Sequence, residues 1–167
     1  MTAELPTVHD LDELVELVGE ARDGAELYVR WSAGPHVDGA ADATAESTSQ
    51  DALTGVPLPG LSANSLRIES WWADRSPALW LARKLFDYQH LRELRGREVR
   101  AWILTGAEVG RGPDNEPLVR PDRPLAWVDE AVLVECERMI ADQRSDEWGG
   151  LRRGNGGTGR VRSNDDT

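Results

Sequence analysis

The chain has 167 residues, with 30 Asp and Glu against 19 Lys and Arg and a formal net charge of −11. This length fits one domain, and so acidic a chain disfavours bulk nucleic-acid binding because its field repels phosphates. The sequence has no apolar run near the roughly 20 residues that span a bilayer, and its first residues lack the features of a secretory signal. A lone cysteine, Cys136, excludes an internal disulfide framework. We therefore expect a cytoplasmic protein without membrane association.

Composition changes near the C-terminus. Residues 151–167 contain four Arg and two Asp among small polar residues, a local net charge of +2, so the preceding 150 residues sum to −13. Such a segment has too little apolar surface to fold alone. We predict a single domain over residues 5–150, followed by a disordered tail at residues 151–167.

The N-terminal part of the chain predicts a helix and a strand. Leucine and valine recur at helical spacing within residues 7–22, with Thr7 as the N-terminal cap. Residues 26–32 are predicted as a strand because of their aromatic and β-branched content. Its alternation gives two faces, with Leu27, Val29 and Trp31 on one side and Tyr28, Arg30 and Ser32 on the other.

A long polar segment precedes the second helix. Residues 33–50 are small and polar without periodicity, which predicts a long loop, and loops of this length are usually functional or mobile. A short strand is expected near residues 61–66. Ser76 and Pro77 then form a helix start, and this helix is predicted to run to about Leu94.

Further strands and one helix complete the predicted domain. Strands are expected over residues 99–108, 117–119 and 125–128, with a turn-rich loop at 110–117. Asp129 is a suitable cap for a last helix that places Cys136 on its apolar face, as a buried thiol. Consecutive strands favour antiparallel pairing, so we predict an α+β fold, with a mostly antiparallel sheet flanked by about three helices.

Arg30 and Ser32 are candidate ligand-binding residues on the polar face of the first strand. An arginine on a strand is costly unless it is paired or exposed, and its planar guanidinium suits a carboxylate or phosphate bound through two hydrogen bonds. The alternative is an ordinary surface arginine, or an ion pair with one of the many acidic residues.

Glu116 is the candidate catalytic residue. It ends the segment that begins at Gly110, which lacks the third glycine of a dinucleotide fingerprint and follows no strand–helix unit. A carboxylate there could act as a base or bind a ribose, whereas the alternative is a tight turn between two strands. Asp114 and Asp122 lack the ligand spacing of a cation site, so no metal is predicted.

Trp71 is a further candidate, as a residue lining the site. It is followed directly by Trp72, and two adjacent residues cannot both face the same interior. One of the two tryptophans is therefore available to a ligand.

Five segments together resemble a small family of uncharacterised proteins from high-GC prokaryotes. The resemblance covers residues 5–153 and rests on Tyr28–Ser32, Leu58–Asn64, Trp71–Trp72, Leu104–Gly106 and Gly110–Val119. That family has no assigned activity, so the resemblance adds little about chemistry.

A second resemblance is to the ADP-ribosyltransferases. In that fold an arginine lies on the first strand, a serine begins the second, and a catalytic glutamate precedes a later strand; Arg30, Ser62 and Glu116 occur in this order. The resemblance implies that Arg30 holds a phosphate of NAD, Ser62 the nicotinamide amide, and Glu116 a ribose hydroxyl. The second strand lacks the full Ser-Thr-Ser of that family.

Two functional hypotheses remain open from the sequence. The first is a nucleotide-binding, NAD-dependent transferase, with Glu116 as the catalytic residue and Arg30, Ser32, Ser62 and Trp71 as the cofactor-binding residues. The second is a non-enzymatic interaction protein that engages a protein partner through the 33–52 loop and the C-terminal tail.

Overall fold

The computed structural model describes residues 4–21, 25–38, 49–89 and 98–146. Within these ranges six strands form one mostly antiparallel sheet, with three longer helices and one short helix. The predicted α+β class is therefore confirmed. The predicted disordered tail, residues 151–167, lies outside the described residues, as do residues 39–48 of the predicted 33–52 loop.

The first elements are β1 (Thr7–Val8), α1 (Leu11–Glu20), β2 (Leu27–Ser32) and α2 (Pro35–Asp38). The predicted cap of the first helix is wrong, since the Asp10 side chain accepts a 2.9 Å hydrogen bond from the Glu13 amide and starts α1 there. Thr7 lies instead in β1. The predicted loop after β2 also contains regular structure, because α2 forms one helical turn directly behind the strand.

The central elements are β3 (Leu61–Ser62), β4 (Asn64–Ser65), a 3₁₀ turn (Ser70–Trp72) and α3 (Pro77–Tyr88). The predicted helix start is confirmed, since the Ser76 hydroxyl accepts a hydrogen bond from the Leu79 amide and Pro77 takes the first helical position. The helix ends at Tyr88, earlier than predicted.

The last elements are β5 (Arg100–Arg111), β6 (Pro117–Val128) and α4 (Glu130–Asp146). Where two short strands were predicted, β6 is one continuous strand. Its two internal prolines, Pro121 and Pro124, lie at positions where the pairing with β5 shifts register. These irregularities let the strand continue past residues that have no N–H to donate.

The sheet curls back on itself through residues 61–65. β3 pairs with β6, with Leu61 opposite Val119, whereas β4 pairs with β2, with Asn64 opposite Val29. Only Ala63 separates the two short strands. Because β2 and β6 both pair with β5 as well, the pairings form a closed ring, and β1 joins β6 in parallel outside it.

The curled sheet has two packed faces. One face joins α1, α3 and α4 in the main core, to which β2 contributes Leu27, Val29 and Trp31. The other face lines the inside of the curl with a smaller cluster made of Tyr28, Ala63, Trp102, Leu104 and Val119. The alternation predicted for β2 is therefore confirmed. No helix in the described ranges is long and apolar enough to cross a membrane.

Candidate functional site

Arg30 lies inside the curl and is paired with the carboxylate of Asp38 at the end of α2. Its Nε donates to Asp38 Oδ2 at 2.6 Å and its Nη2 donates to Oδ1 at 3.0 Å, in a bidentate arrangement. The two side chains are only 4% and 2% exposed. Of the alternatives that the sequence leaves open, the structure shows the ion pair.

Ser32 joins the same network from the end of β2. Its hydroxyl donates to Asp38 Oδ2 at 2.5 Å and accepts hydrogen bonds from the Trp102 indole N–H and the Gly34 amide. One donor and two acceptor sites are then all used, which is the full capacity of a hydroxyl. Ser32 therefore helps to hold the Asp38 carboxylate in place, through the same oxygen that accepts from Arg30 Nε.

Ser62 contributes its backbone to the network. Its carbonyl accepts a 2.7 Å hydrogen bond from Arg30 Nη1, and its amide donates to Ser49 Oγ, which also accepts from Nη1. The guanidinium thereby ties three chain segments together, through Asp38, Ser49 and Ser62. A buried ion needs such compensation for its lost hydration, and here the protein itself supplies it.

Glu116 belongs to the turn between β5 and β6. Its carboxylate accepts a 2.9 Å hydrogen bond from the Asp114 amide, and its backbone carbonyl accepts from the Gly112 amide. Asn115 takes a positive φ of 62° at the tip. The side chain packs so closely on Gly112 that a Cβ there would lie 2.0 Å from Glu116 Oε1. These contacts are those of a carboxylate that stabilises its own turn.

The backbones that carry three of the predicted site residues come together. Ser62 is hydrogen-bonded to Arg30 and lies opposite Leu118 in the β3–β6 pairing. The Ala63 amide donates to the carbonyl of Pro117, the residue after Glu116. The closed curl therefore brings the Pro117 end of the turn to the Ser62–Ala63 segment that Arg30 contacts, although the carboxylate of Glu116 is used within the turn.

Trp71 lies on the other side of the sheet, next to the main core. It is 65% exposed, whereas its neighbour Trp72 is 3% exposed and belongs to that core. The prediction that the two tryptophans face different environments is confirmed. The structure does not bring Trp71 together with Arg30 and Ser32, which face the inside of the curl.

Trp71, Trp72 and Trp80 form a cluster of edge-to-face aromatic contacts. The Trp71 ring centroid is 5.9 Å from that of Trp72 and 5.4 Å from that of Trp80, and those two are 5.2 Å apart. The buried indoles are fixed by hydrogen bonds, since Trp72 Nε1 donates to the Ser76 carbonyl and Trp80 Nε1 to that of Arg67. Rings at these distances and angles stabilise one another, so Trp71 is held in place although it faces solvent.

Two cations lie over the rings of this cluster. The Arg75 guanidinium is 5.2 Å from the centroid of Trp72, and Lys84 Nζ is 5.3 Å from that of Trp80. Both distances lie within the range of cation–π attraction. We call the set Trp71, Trp72, Arg75, Trp80 and Lys84 the aromatic platform.

A groove runs beside the platform, between α3 and α4. It encloses about 770 Å³ and has half-buried apolar side chains, Leu79, Phe86 and Met139, among its lining residues. Arg75 and Arg83 also line it, with Asp87 as the acidic residue. This groove and the platform form a continuous surface, since Trp72 and Arg75 belong to both.

Sequence reasoning missed two of these features. Asp38 carries no local signal that separates it from the other acidic residues, because its role depends on α2 folding back onto β2. For the aromatic platform the sequence offers only a weak signal, the i, i+4 spacing of Trp80 and Lys84 on a helix, and it offers none for Arg75.

Two further titratable groups, Tyr28 and Cys136, have shifted pKa values. In the described part of the chain no group of three or more His, Cys, Asp or Glu side chains could hold a metal ion. Burial, followed by the hydrogen bond and charge of Glu26, raises the pKa of the Tyr28 phenol. Burial raises the pKa of the Cys136 thiol to about 12, so both groups remain protonated near neutral pH.

Comparison with protein families gives one match. A family of unknown function, DUF6098, matches residues 1–149. The chain belongs to DUF6098. No curated protein and no solved structure matches it. The ion-pair network and the aromatic platform both lie within the matched residues, and they are therefore features of a DUF6098 domain.

Proposed function

We propose that this DUF6098 protein is a non-enzymatic protein-interaction module that binds its partner through the aromatic platform. The observation that carries the proposal is Trp71, which is 65% exposed although two other tryptophan rings hold it in place. An exposed tryptophan that is already ordered loses little conformational entropy on binding. Tryptophan and arginine are also the residues most enriched among those that dominate binding energies.

The proposal changes the surface that the sequence suggested for a partner. In the sequence hypothesis the partner binds the 33–52 loop and the tail. The described part of that loop is tied to the sheet, because Arg30 binds both Asp38 and Ser49 in the interior. The platform is the alternative with an exposed, preorganised aromatic residue. A cytoplasmic location, expected from the sequence, belongs to the same proposal.

A site-specific photocrosslinking experiment in the source cells tests this function. A photoreactive phenylalanine analogue is placed at Trp71, at Leu53 or at Val109, which are all exposed apolar positions. We expect a discrete adduct from position 71 and none from Val109. The purified partner should then bind the full chain at least about 30-fold more weakly when Trp71 is replaced by Ala, as for an interface residue that contributes 2 kcal/mol or more.

The adducts formed at Trp71 and at Leu53 distinguish the platform from the loop as the docking surface. An adduct from Leu53 and none from Trp71 would support the loop as the docking surface and contradict the platform. No adduct from either position would contradict the function. Trp71→Ala is a suitable variant because the side chain is mostly outside the core, so circular dichroism and the unfolding midpoint should change little.

A second candidate function is nucleotide binding, with NAD as the cofactor and Glu116 as the catalytic residue. The observation that favours it is that Arg30, the backbone of Ser62 and the turn that carries Glu116 lie at one end of the curl. Ser32 lies beside Arg30, and Trp71 is remote. Phosphate binding by Arg30 requires that Asp38 leave the guanidinium.

Thermal unfolding in the presence of NAD and of other nucleotides tests the second function. A ligand at 100 times its Kd should stabilise the protein by about 2.7 kcal/mol. Glu116→Gln should retain this shift and lose turnover. The absence of any shift up to millimolar nucleotide would eliminate the second candidate and leave the first unaffected.

A further inference from the structure

The groove between α3 and α4 has the shape of a receptor for a helix. Along α3 and its cap, the lining includes the series Ser76, Leu79, Arg83 and Phe86, with Asp87 next to the last of them. Their spacing of three, seven and ten residues places them on one stripe of the helix, and a span of ten residues corresponds to about 15 Å. The groove therefore matches a helical segment of about three turns.

The cations around the groove are free to bind an anion. Arg75, Arg83 and Lys84 form no ion pair with any residue in ranges 4–21, 25–38, 49–89 and 98–146. This is notable in a chain with 30 acidic residues. The charged residues that line the groove are Arg75, Arg83 and Asp87, a surplus of one cation, whereas the whole chain has a net charge of −11. The described lining of the groove therefore offers opposite charge to an acidic partner.

We propose that the groove binds an acidic amphipathic helix of a partner protein. This inference rests on the proposed interaction function and identifies the chemistry of its partner. The apolar stripe of the bound helix packs on Leu79, Phe86 and Met139, and its acidic flanks pair with Arg75 and Arg83. The mode is that of an amphipathic helix in a hydrophobic groove, with charges at the rim that set specificity and association rate.

Stacking on Trp72 orders the Arg75 side chain before a partner binds. The Arg75 guanidinium lies 5.2 Å from the Trp72 centroid, which restricts the side chain without using its N–H groups. A carboxylate can then accept two parallel hydrogen bonds from it. The apolar floor favours a peptide helix over a nucleic acid, since a polyanion would also extend over the acidic surface beyond the groove.

Peptide binding to the full chain tests the proposal. The probe is a synthetic helical peptide of about 14 residues with a leucine stripe at i, i+3, i+4 and i+7 and glutamate on both flanks. We expect binding by calorimetry that weakens as salt is raised toward about 0.5 M. The same peptide with lysine in place of glutamate should not bind, and neither should an acidic peptide with its leucines dispersed.

Charge reversal locates the binding site. Arg83→Glu should weaken binding of the acidic peptide at least about tenfold, and it should improve binding of the lysine peptide. Arg120→Glu, a reversal of an exposed arginine on β6, should leave both affinities unchanged. Equal binding of both peptides, or equal effects of the two reversals, would overturn the proposal. Tighter binding of a single-stranded oligodeoxythymidine at the groove would overturn it in favour of a nucleic-acid partner.

The outcome is separable from that of the proposed function. A crosslink from Trp71 without binding of the acidic helix would leave the interaction function standing and refute this choice of partner. Failure of both experiments would refute the function itself.

Discussion

Asp38→Asn is the substitution that most directly tests the buried network. It preserves the size of the side chain and removes the charge that accepts hydrogen bonds from Arg30 Nε at 2.6 Å and Nη2 at 3.0 Å. Both side chains are almost fully buried, at 4% and 2% exposed. Loss of one partner of a buried pair costs about 3–5 kcal/mol because the other charge remains buried without compensation.

The amide oxygen of Asn can still accept one of these hydrogen bonds. We therefore expect a loss near the lower limit, about 3 kcal/mol of unfolding free energy, which corresponds to about 6–12 °C in Tm for a domain of this size. Urea unfolding followed by tryptophan fluorescence measures it, and Trp102, whose indole donates to Ser32, lies within the network. The double variant Arg30→Met, Asp38→Asn should lose less than the sum of the two single variants.

An exposed ion pair provides the matched control. Arg67 Nη1 is 3.4 Å from Glu26 Oε1, with the side chains 67% and 46% exposed, and Arg67→Gln should cost less than about 1 kcal/mol. If Asp38→Asn cost as little as Arg67→Gln, Asp38 would not compensate the buried charge of Arg30. The assignment of the network as the tie that holds Asp38 and Ser49 to β2 would then be refuted.

Three further outcomes are expected. Gly106→Ala should lower the free energy of unfolding by about 1–3 kcal/mol in urea, because the new Cβ would lie 2.5 Å from the Val119 side chain of β6. Gly110→Ala is the control, since a Cβ there meets nothing within 4 Å and should cost less. Equal losses for the two variants would contradict this. Cys136, whose pKa burial raises to about 12, should react with an aromatic disulfide only in concentrated urea, and rapid labelling of folded protein would show an open core. The Asp129 carboxylate accepts a hydrogen bond from the Ala131 amide and one from the His9 ring, and these hold its pKa below the ordinary 3.8. The stabilisation is present above that pH and is lost as the pH falls below it. Asp129→Asn should therefore reduce the acid dependence of the unfolding free energy, and an unchanged acid limb would refute that role.

The sequence predicted those helices and strands that are determined by neighbouring residues, such as β2 and the start of α3. The alternation of residues 27–32 specified both faces of β2 because a strand has a period of two. Ser76 and Pro77 specified the start of α3 through the missing N–H of proline and the accepting hydroxyl. The prediction failed at Thr7, where capping residues occur at two positions and the pairing of β1 with β6 selects Asp10.

The architecture of the site depends on contacts that are remote in the sequence. Ser62 meets Leu118 across the sheet, and Asn64 meets Val29 on its other side. Neither pairing leaves a local trace in a segment of two-residue strands. Two short strands were predicted at 117–119 and 125–128, but the irregular register with β5 lets one strand continue through Pro121 and Pro124.

Some candidate ligand residues were predicted from local sequence, whereas their partners became known only from the fold. Arg30 and Ser32 were found from the cost of placing polar groups on a buried strand, but the identity of the arginine's partner, Asp38, required the fold. Trp71 was found from its adjacency to Trp72. Trp80 completes the cluster from a position on α3 that helical periodicity alone assigns to the core.

The closure of the sheet also bears on how the protein resists aggregation. The side of β6 that faces away from β5 pairs with β3 at one end and with β1 at the other. Within the described residues this leaves an open stretch in the middle, at 120–126, that could recruit a strand from another molecule. The stretch contains two prolines, which donate no hydrogen bond, and three charged side chains: Pro121, Pro124, Arg120, Asp122 and Arg123. The two prolines, which β6 accommodates through its irregular register with β5, thus also oppose templating of an intermolecular sheet at its exposed edge.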